Sequence, residues 1–159
     1  MFIQKLLLSY LRNSPVDYGK QIAAKWIKLP IHNTFIDYTN NQGLHFQLDL
    51  DEYQMKQIFL FDVYERNTIK HLLKLIKSNL TKQFTFIDVG ANIGFFTMTI
   101  AKACENTNHQ IHCFEPNPYT FNLLTTNIQR NKLNNLYLNM FGLAASETTA
   151  ILSSNARNL

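Results

Sequence analysis

Residues 84–94, with the sequence FTFIDVGANIG, indicate the fold class. The first six residues form a short, mainly apolar run that stops at Gly90, which is typical of a β-strand covered on both faces. The following residues, to about 104, have the pattern of a helix. A second apolar strand, Ile111–Phe114, comes after that helix. The two strands and their connecting helix therefore predict one crossover unit of a parallel sheet.

The same alternation continues downstream. Asn117-Pro118 has the features of a helix start, a capping side chain followed by proline, and this helix is predicted to end near Asn131. Residues 136–143 are a third candidate strand, and residues 150–152 begin a candidate fourth. We therefore predict an α/β protein with a doubly wound, Rossmann-like parallel sheet and right-handed crossovers.

Residues 1–30 are predicted to form a basic helical arm with short helices over 2–11 and 15–28, the second starting at the Ser-Pro pair of residues 14 and 15. Its apolar stripe consists of Tyr18, Ile22 and Trp26. The formal net charge is +4, and residues 1–28 carry all of this excess. A basic helix with an apolar stripe suits a membrane surface. The stripe is short and narrow, however, which favours an arm that packs on the domain and keeps its lysines in water.

A β-hairpin and a lead-in helix are predicted between the arm and the sheet. Residues 44–50 alternate between apolar and polar side chains, and residues 33–38 form the expected partner strand. Residues 69–80 make a helix with one apolar face. The four predicted segments are the arm at 1–30, the hairpin and lead-in helix at 31–82, the sheet region at 83–152 and a tail at 153–159.

Composition narrows the class of protein. The chain body beyond the arm is neutral, which argues against nucleic acid as the main partner. Cys104 and Cys113 lack metal-binding spacing and are predicted to be buried thiols in a reducing cytosol, so no metal site is expected. Residues 6–11 are too short for a signal-peptide core, and no stretch approaches the length of a membrane span. We therefore expect a cytoplasmic protein without a transmembrane segment.

The candidate site lies where the first strand of the sheet ends. Ligands of such folds bind at the carboxyl ends of the strands, and Asp88 to Gly94 lies there. Gly90 and Gly94 expose bare backbone, and the following helix start attracts a carboxylate or phosphate. Asp88 accepts hydrogen bonds from an amine. Glu115, at the end of the next strand, is placed to accept two hydrogen bonds from a ribose diol.

The glycine spacing distinguishes between two nucleotide ligands. A dinucleotide fingerprint requires glycines at the positions that Gly90, Asn92 and Phe95 occupy here, and two of the three fail. Phe95 in particular opposes the tight packing of helix on strand that the third glycine permits. A ligand with an amino acid at one end and a nucleoside at the other fits better than NAD.

Three runs of sequence resemble the FkbM family of methyltransferases. They are FIDVGANIGFFT at 86–97, FEPNP at 114–118 and NIQRNKL at 127–133. Tyr64-Glu65 also fits that family, and the resemblance covers roughly residues 44–152. It implies a class I methyltransferase fold and transfer of a methyl group from S-adenosyl-L-methionine, usually to an oxygen of a sugar or small natural product.

The resemblance also implies roles for individual residues. The methionine part of the cofactor would be held by Asp88, Gly90, Ala91, Asn92 and Gly94. Glu115 would hold the ribose, while Pro116 and Asn117 would flank the adenine, with Ala144 and Ala145 near its other side. A hydroxyl acceptor needs a general base. Tyr64 and Glu65 are candidates without a clear preference, and His112 is more typical of a core residue.

The family continues past the end of this chain, and its acidic-glycine motif after the fourth strand is missing. We therefore expect an incomplete sheet with its first strand at an edge, open to self-association, in a truncated product or partial record of a longer enzyme. A stable, catalytically active monomer would contradict that expectation. Two other interpretations remain open, a non-catalytic remnant and, less favoured, an NAD-type oxidoreductase.

Overall fold

The computed structural model describes residues 2–14, 18–29, 35–79 and 83–152. These residues form two units, Met1–Asn67 and Thr68–Leu159, called the N-terminal and the C-terminal unit. The N-terminal unit contains α1 (Phe2–Asn13), α2 (Lys20–Ala24), β1 (Phe35–Thr39), β2 (His45–Asp49) and α3 (Tyr53–Phe61). Helix α4 (Arg66–Lys77) begins at the boundary of the units. The C-terminal unit continues with β3 (Phe84–Val89), α5 (Phe95–Ala103), β4 (His109–Phe114), α6 (Pro118–Asn131) and β5 (Leu136–Asn139).

The predicted arm is helical, but its second helix is shorter than predicted. Helix α2 begins after Gly19, whose φ of 79° belongs to the left-handed region, and it ends at Ala24. The predicted helix start at residues 14–17 lies largely outside the described residues. The prediction that this helix continues to residue 28 is wrong, because the chain closes in successive turns over residues 25–27.

The arm packs through a different set of side chains from the predicted stripe. The buried cluster is formed by Leu11, Ile27, Leu60 and Phe61. The stripe of Tyr18, Ile22 and Trp26 points outward instead, with exposed fractions of 91%, 65% and 71%. The arm therefore packs against α3, and the stripe predicted to mediate packing remains on the surface. The prediction that the arm keeps its lysines in water is wrong for Lys20, which is buried and donates to the Ser14 carbonyl at 2.7 Å.

The hairpin prediction is confirmed. Strands β1 and β2 pair antiparallel, with Ile36 opposite Leu48 and Tyr38 opposite Phe46. The alternating residues 44, 46, 48 and 50 are buried. Helix α3 was not predicted, because the consecutive apolar residues 58–61 blur the period of a helix with one apolar face. Its residues Met55 and Ile58 are nevertheless buried.

A polar cluster joins the hairpin to α1 and α3. The hydroxyl of Tyr38 donates to Asp62, which also accepts from the backbone N–H of Asn41 at 3.1 Å. The Arg12 guanidinium lies over the ring of Tyr38, 4.8 Å from its centroid, and donates to the Phe59 carbonyl at 2.6 Å. Burial and the hydrogen bond with Asp62 raise the pKa of Tyr38 well above its usual value, so the hydroxyl stays protonated and donates.

We expect Tyr38→Phe to destabilise the N-terminal unit by about 1–3 kcal/mol, because it removes one donor from a carboxylate. Urea unfolding followed by fluorescence of Trp26, the single tryptophan, measures this loss. Tyr53→Phe is the matched control, since Tyr53 is 69% exposed in the same unit. Equal stability of the two variants would show that the Tyr38 hydroxyl contributes nothing.

The fold-class prediction is confirmed in the C-terminal unit. Strands β3, β4 and β5 form a parallel sheet in that order, and α5 and α6 connect successive strands. Strand β3 is an edge strand of the described sheet, as expected. Helix α4 is also confirmed, with Ile69 and Ile76 buried on its apolar face.

The prediction that β3 is covered on both faces is wrong for the described residues. Its side chains alternate, and Ile87 and Val89 are 56% and 60% exposed. Tyr137 of β5 lies on the same face and is 48% exposed. On the opposite face Ile111 and Cys113 of β4 are fully buried, as expected where successive crossovers that advance in one direction place their helices on one face of a sheet. The described part of the chain therefore leaves the other face open.

The end of the described chain also differs from the prediction. Strand β5 stops at Asn139, so residues 140–143 do not extend it, and residues 150–152 form no strand. Ile151 is 98% exposed. An apolar residue with high strand propensity forms a strand only where a neighbouring strand supplies hydrogen bonds and a surface to pack on.

Candidate functional site

The loop after β3 is tied to the end of β4. The backbone N–H groups of Gly90 and Ala91 both donate to the Phe114 carbonyl, at 2.8 and 3.0 Å. Gly90 has a φ of 78°, and a Cβ there would meet no atom within 4 Å. The open space beside Gly90 agrees with its predicted role of presenting bare backbone to a ligand.

Glu115 joins the loops that follow β3 and β4. Its Oε2 accepts from the backbone N–H of Asn92, and its Oε1 accepts from that of Asn117, both at 2.9 Å. The residue is 7% exposed. An ionised carboxylate has about four acceptor positions, so two remain for other donors. The two backbone N–H groups therefore orient the Glu115 carboxylate without a ligand.

Asp88 contacts the first turn of α5. Its Oδ2 accepts from the backbone N–H of Thr97 at 3.1 Å and from the Thr97 hydroxyl at 2.6 Å. Thr97 is fully buried, and the sequence analysis assigned it no role although it lies within the quoted motif. One carboxylate oxygen of Asp88 thus caps the helix, and Oδ1 is the oxygen that Thr97 does not engage.

The surroundings of Asp88 shift its pKa. Burial raises the pKa of Asp88 above its usual value, the hydrogen bonds from Thr97 act in the opposite direction, and the charge of Glu115 raises it further. Since the folded-state pKa exceeds the unfolded one, protonated Asp88 favours folding at low pH. That contribution is lost as the pH rises through the folded-state pKa.

We expect Thr97→Val to raise the pKa of Asp88 further, because the substitution removes the hydroxyl donor that favours the carboxylate. A carbon-detected NMR titration of the aspartate carboxyls measures the shift. Thr126→Val is the control, since the Thr126 hydroxyl bonds only within its own helix, to the Asn122 carbonyl. An unchanged Asp88 titration would refute the role given to Thr97.

Gly94 has a packing role that its sequence context did not predict. Its φ is 87°, and a Cβ would lie 2.5 Å from Cδ1 of Leu124 in α6. Its N–H donates to the Ala91 carbonyl, and its carbonyl accepts from Met98, both at 2.8 Å. Gly94 is buried, so its small size permits the approach of α6 and its N–H already has a partner.

Two asparagines hold the loops in place. The side chain of Asn92 accepts from the N–H of Ile93 at 2.7 Å, and Asn92 has a left-handed φ of 49°. Asn127, which is fully buried in α6, donates to the Ile93 carbonyl at 3.1 Å. Sequence reasoning gave Asn127 no role. The sequence signal that identifies it is its spacing, since Asn127 falls on the same helix stripe as the apolar residues Leu123, Leu124 and Ile128.

The predicted adenine side of the site is only partly assembled. The Asn117 side chain caps α6 by accepting from Tyr119 N–H at 2.9 Å, as its sequence predicts. Pro116 lies near Gly142, where a Cβ would be 3.8 Å from its ring. Ala144 and Ala145 are exposed, so they do not wall this side in the described structure.

No general base is assigned. Tyr64 and Glu65 belong to the N-terminal unit, where Gln54 donates to the Tyr64 hydroxyl at 3.4 Å and Glu65 is exposed. The His112 ring stacks on Tyr137 with centroids 4.5 Å apart, at the open sheet face and not in a closed core. The predicted burial of Cys104 and Cys113 is confirmed, and burial raises the pKa of Cys113 to about 11.

The chemistry of this site follows from its donors and acceptors. Two acidic side chains, Asp88 and Glu115, end adjacent parallel strands beside the start of α5. Acceptors of this kind suit an ammonium group and a pair of hydroxyls. Across the described residues, no group of three acidic, histidine or cysteine side chains is suited to a metal ion. No described helix has the length and apolarity needed to cross a membrane.

Comparisons with known proteins give similarity in structure only. No family model matches the chain, and neither does any curated protein. TYW2 of M. jannaschii, solved in complex with AdoMet, is 23% identical over 72% of this chain and 46% of its own, with a TM-score of 0.48. Trm5b from Pyrococcus abyssi is 20% identical over 72% of this chain and 30% of its own, with a TM-score of 0.47. A putative protein-L-isoaspartate O-methyltransferase from Plasmodium falciparum is 19% identical over 86% of this chain and 62% of its own, with a TM-score of 0.40. The chain spans less than half the length of the first two.

Proposed function

We propose that the C-terminal unit binds S-adenosyl-L-methionine and that the chain is, or belongs to, a methyltransferase dependent on it. The observation that carries the proposal is the pair Asp88 and Glu115 at the ends of neighbouring strands, with the Gly90 loop between them. The site residues of the proposal are Asp88, Gly90, Ala91, Asn92, Gly94, Glu115, Pro116 and Asn117.

The acceptor capacity of the site suits this cofactor. The oxygens of Glu115 each take one backbone N–H and keep lone pairs for the two ribose hydroxyls. Asp88 Oδ1 is proposed to accept from the amino group of the methionine part. When bound, the cofactor supplies a methyl group on a positively charged sulfur, already activated for transfer. The protein then has to align donor and acceptor.

A dinucleotide is the less suitable ligand. Phe95 is 5% exposed and stands where a dinucleotide fingerprint has its third glycine. The residue at the second position is Asn92, whose left-handed φ replaces one property of glycine but whose side chain occupies the loop. An NAD-dependent oxidoreductase is therefore the weaker proposal.

We also propose, from the motifs at 86–97, 114–118 and 127–133, that the chain is related to the FkbM family and that its acceptor is a hydroxyl of a sugar or small natural product. A nucleic acid acceptor is the alternative to be tested, because a tRNA (uracil-54, C5)-methyltransferase from Pyrococcus abyssi is among the similar structures, at 14% identity and a TM-score of 0.43. The neutral charge of residues 29–159 favours the sugar.

A non-catalytic remnant, which at most binds a nucleoside or a partner chain, is the second candidate. The open sheet face around Ile87 and Val89 favours it, since a complete active site needs walls that exclude water. The proposed assignment of residues 83–152 as the cofactor-binding half of a larger domain accommodates both candidates.

Calorimetric titration with S-adenosyl-L-methionine and, separately, with NAD tests the binding proposal. We expect binding of the first and none of the second. Binding of NAD alone would overturn the cofactor assignment. Transfer of label from methyl-labelled cofactor to a panel of glycans, small hydroxylated compounds and tRNA then separates an enzyme from a remnant, and transfer to tRNA would overturn the proposed acceptor class.

A further inference from the structure

The N-terminal unit carries an apolar surface that its own core does not cover. On α1 the exposed residues Ile3, Leu6 and Tyr10 follow the spacing of one helix stripe. Tyr18, Ile22 and Trp26 form the exposed stripe already described, and these six residues are called the N-terminal apolar patch. Ile3 and Leu6 are 70% and 55% exposed. Monomeric proteins seldom expose contiguous apolar surface of this kind without a partner.

Hydrogen bonds place the two stripes side by side. At one end Gln4 donates to the Trp26 carbonyl at 3.1 Å and accepts from the Lys28 N–H at 3.0 Å. At the other end the Tyr10 hydroxyl donates to the Tyr18 carbonyl at 2.7 Å. The two segments therefore run antiparallel, and their outward residues form one surface rather than two isolated stripes.

The charge around the patch identifies the kind of partner. Lys5, Lys25 and Lys28 are exposed in the same two segments. Residues 1–28 contain five basic residues and one acidic one, Asp17. Lys20 is buried and Arg12 donates to the Phe59 carbonyl, so the three lysines carry the charge available at this surface. A tryptophan and two tyrosines are the aromatic residues that prefer the boundary between lipid and water. Apolar and aromatic side chains with surrounding lysines match an anionic membrane surface, which offers an acyl boundary and negative headgroups together.

We propose that the N-terminal apolar patch docks the chain on the surface of an anionic lipid bilayer without crossing it. The short, narrow stripe of Tyr18, Ile22 and Trp26 argued against this interpretation when taken alone. The structure favours the membrane surface for two reasons. The stripe is not used for packing, and the exposed apolar residues of α1 lie beside it and widen the apolar surface. The proposal is independent of the ligand of the C-terminal unit.

Binding of the full chain to lipid vesicles tests the proposal, and the fluorescence of Trp26 reports the binding. We expect the chain to sediment with vesicles of phosphatidylcholine mixed with phosphatidylglycerol and the Trp26 emission to shift to the blue. Binding to phosphatidylcholine alone is expected to be much weaker, and added salt weakens binding to the mixture. Failure to bind the anionic vesicles overturns the proposal.

Two double variants separate the contributions. Lys25→Glu with Lys28→Glu, and Leu6→Ser with Ile22→Ser, are each expected to weaken vesicle binding by about tenfold or more. All four side chains are exposed, so folding should be retained. The controls are Lys70→Glu with Lys74→Glu, and Leu75→Ser, at exposed positions of α4. If the control variants lose as much vesicle binding as the patch variants, the proposal is overturned. It is also overturned if the patch mediates a dimer of the chain and the vesicles stay unbound.

Discussion

Replacing Glu115 by alanine is expected to raise the Kd for S-adenosyl-L-methionine by at least about a hundredfold. Two ribose hydroxyls would lose a charged acceptor, and each such hydrogen bond contributes about 1.5–3 kcal/mol. The expected loss of affinity has a second cause besides the missing ligand contacts. The Glu115 carboxylate also holds the N–H groups of Asn92 and Asn117, so the two loops that form the site lose their common link.

Glu115→Gln separates these two effects. The amide keeps one oxygen acceptor, so one backbone N–H stays paired while the other faces an NH₂ group. We expect intermediate affinity, about tenfold weaker than the unmodified chain. Calorimetry gives the Kd, and circular dichroism at the same temperature confirms that each variant is folded.

Glu105→Ala is the matched control for charge removal in the same unit. Glu105 is exposed and pairs only with Lys102 at 3.1 Å in the described structure. Its removal should leave the Kd within the error of the measurement, because exposed ion pairs contribute little. If Glu115→Ala binds the cofactor as tightly as Glu105→Ala does, the proposed ribose contact is wrong.

Gly94→Ala is expected to destabilise the C-terminal unit by about 2–5 kcal/mol. Two separate penalties add here. An alanine in the left-handed region is strained by about 1–2 kcal/mol, and its Cβ would meet Leu124 Cδ1 at 2.5 Å, an overpacking that costs about 1–3 kcal/mol. Urea unfolding followed by far-ultraviolet circular dichroism measures the loss, since the single tryptophan lies in the other unit.

Gly90→Ala isolates the conformational penalty. Gly90 also has a positive φ, but a Cβ there meets nothing within 4 Å. We expect this variant to lose only about 1–2 kcal/mol. The difference between the two variants measures the steric contact with α6. Equal losses would contradict the close approach of Leu124 to Gly94.

Local patterns predicted most of the elements. The period of two at residues 44–50, the apolar runs of β3 and β4 and the Asn117 cap all depend on neighbours within a few residues. The same is true of the site loop, since residues 88–94 are contiguous and Glu115 follows the next strand. These predictions needed no knowledge of distant contacts.

Other features depend on contacts between distant residues. Thr97 holds Asp88, and Asn127 holds the Ile93 carbonyl across 34 positions of sequence. The outward direction of Ile22 depends on the packing of Ala23 and Ala24 of α2 against the buried cluster that contains Leu11 and Ile27. No periodicity within one segment distinguishes the face that packs from the face that remains exposed when both carry apolar residues.

Local sequence patterns predicted the α/β alternation, the loop Asp88–Gly94 and the position of Glu115 after the next strand, because turn chemistry and strand period are local properties. The packing of distant elements determined three further features. Glu115 links two loops, Gly94 lies close to Leu124, and one face of the described sheet is open. The same packing also determined that the arm presents an apolar surface. Each of these depends on which elements pack together, and that choice is set by burial summed over the whole chain.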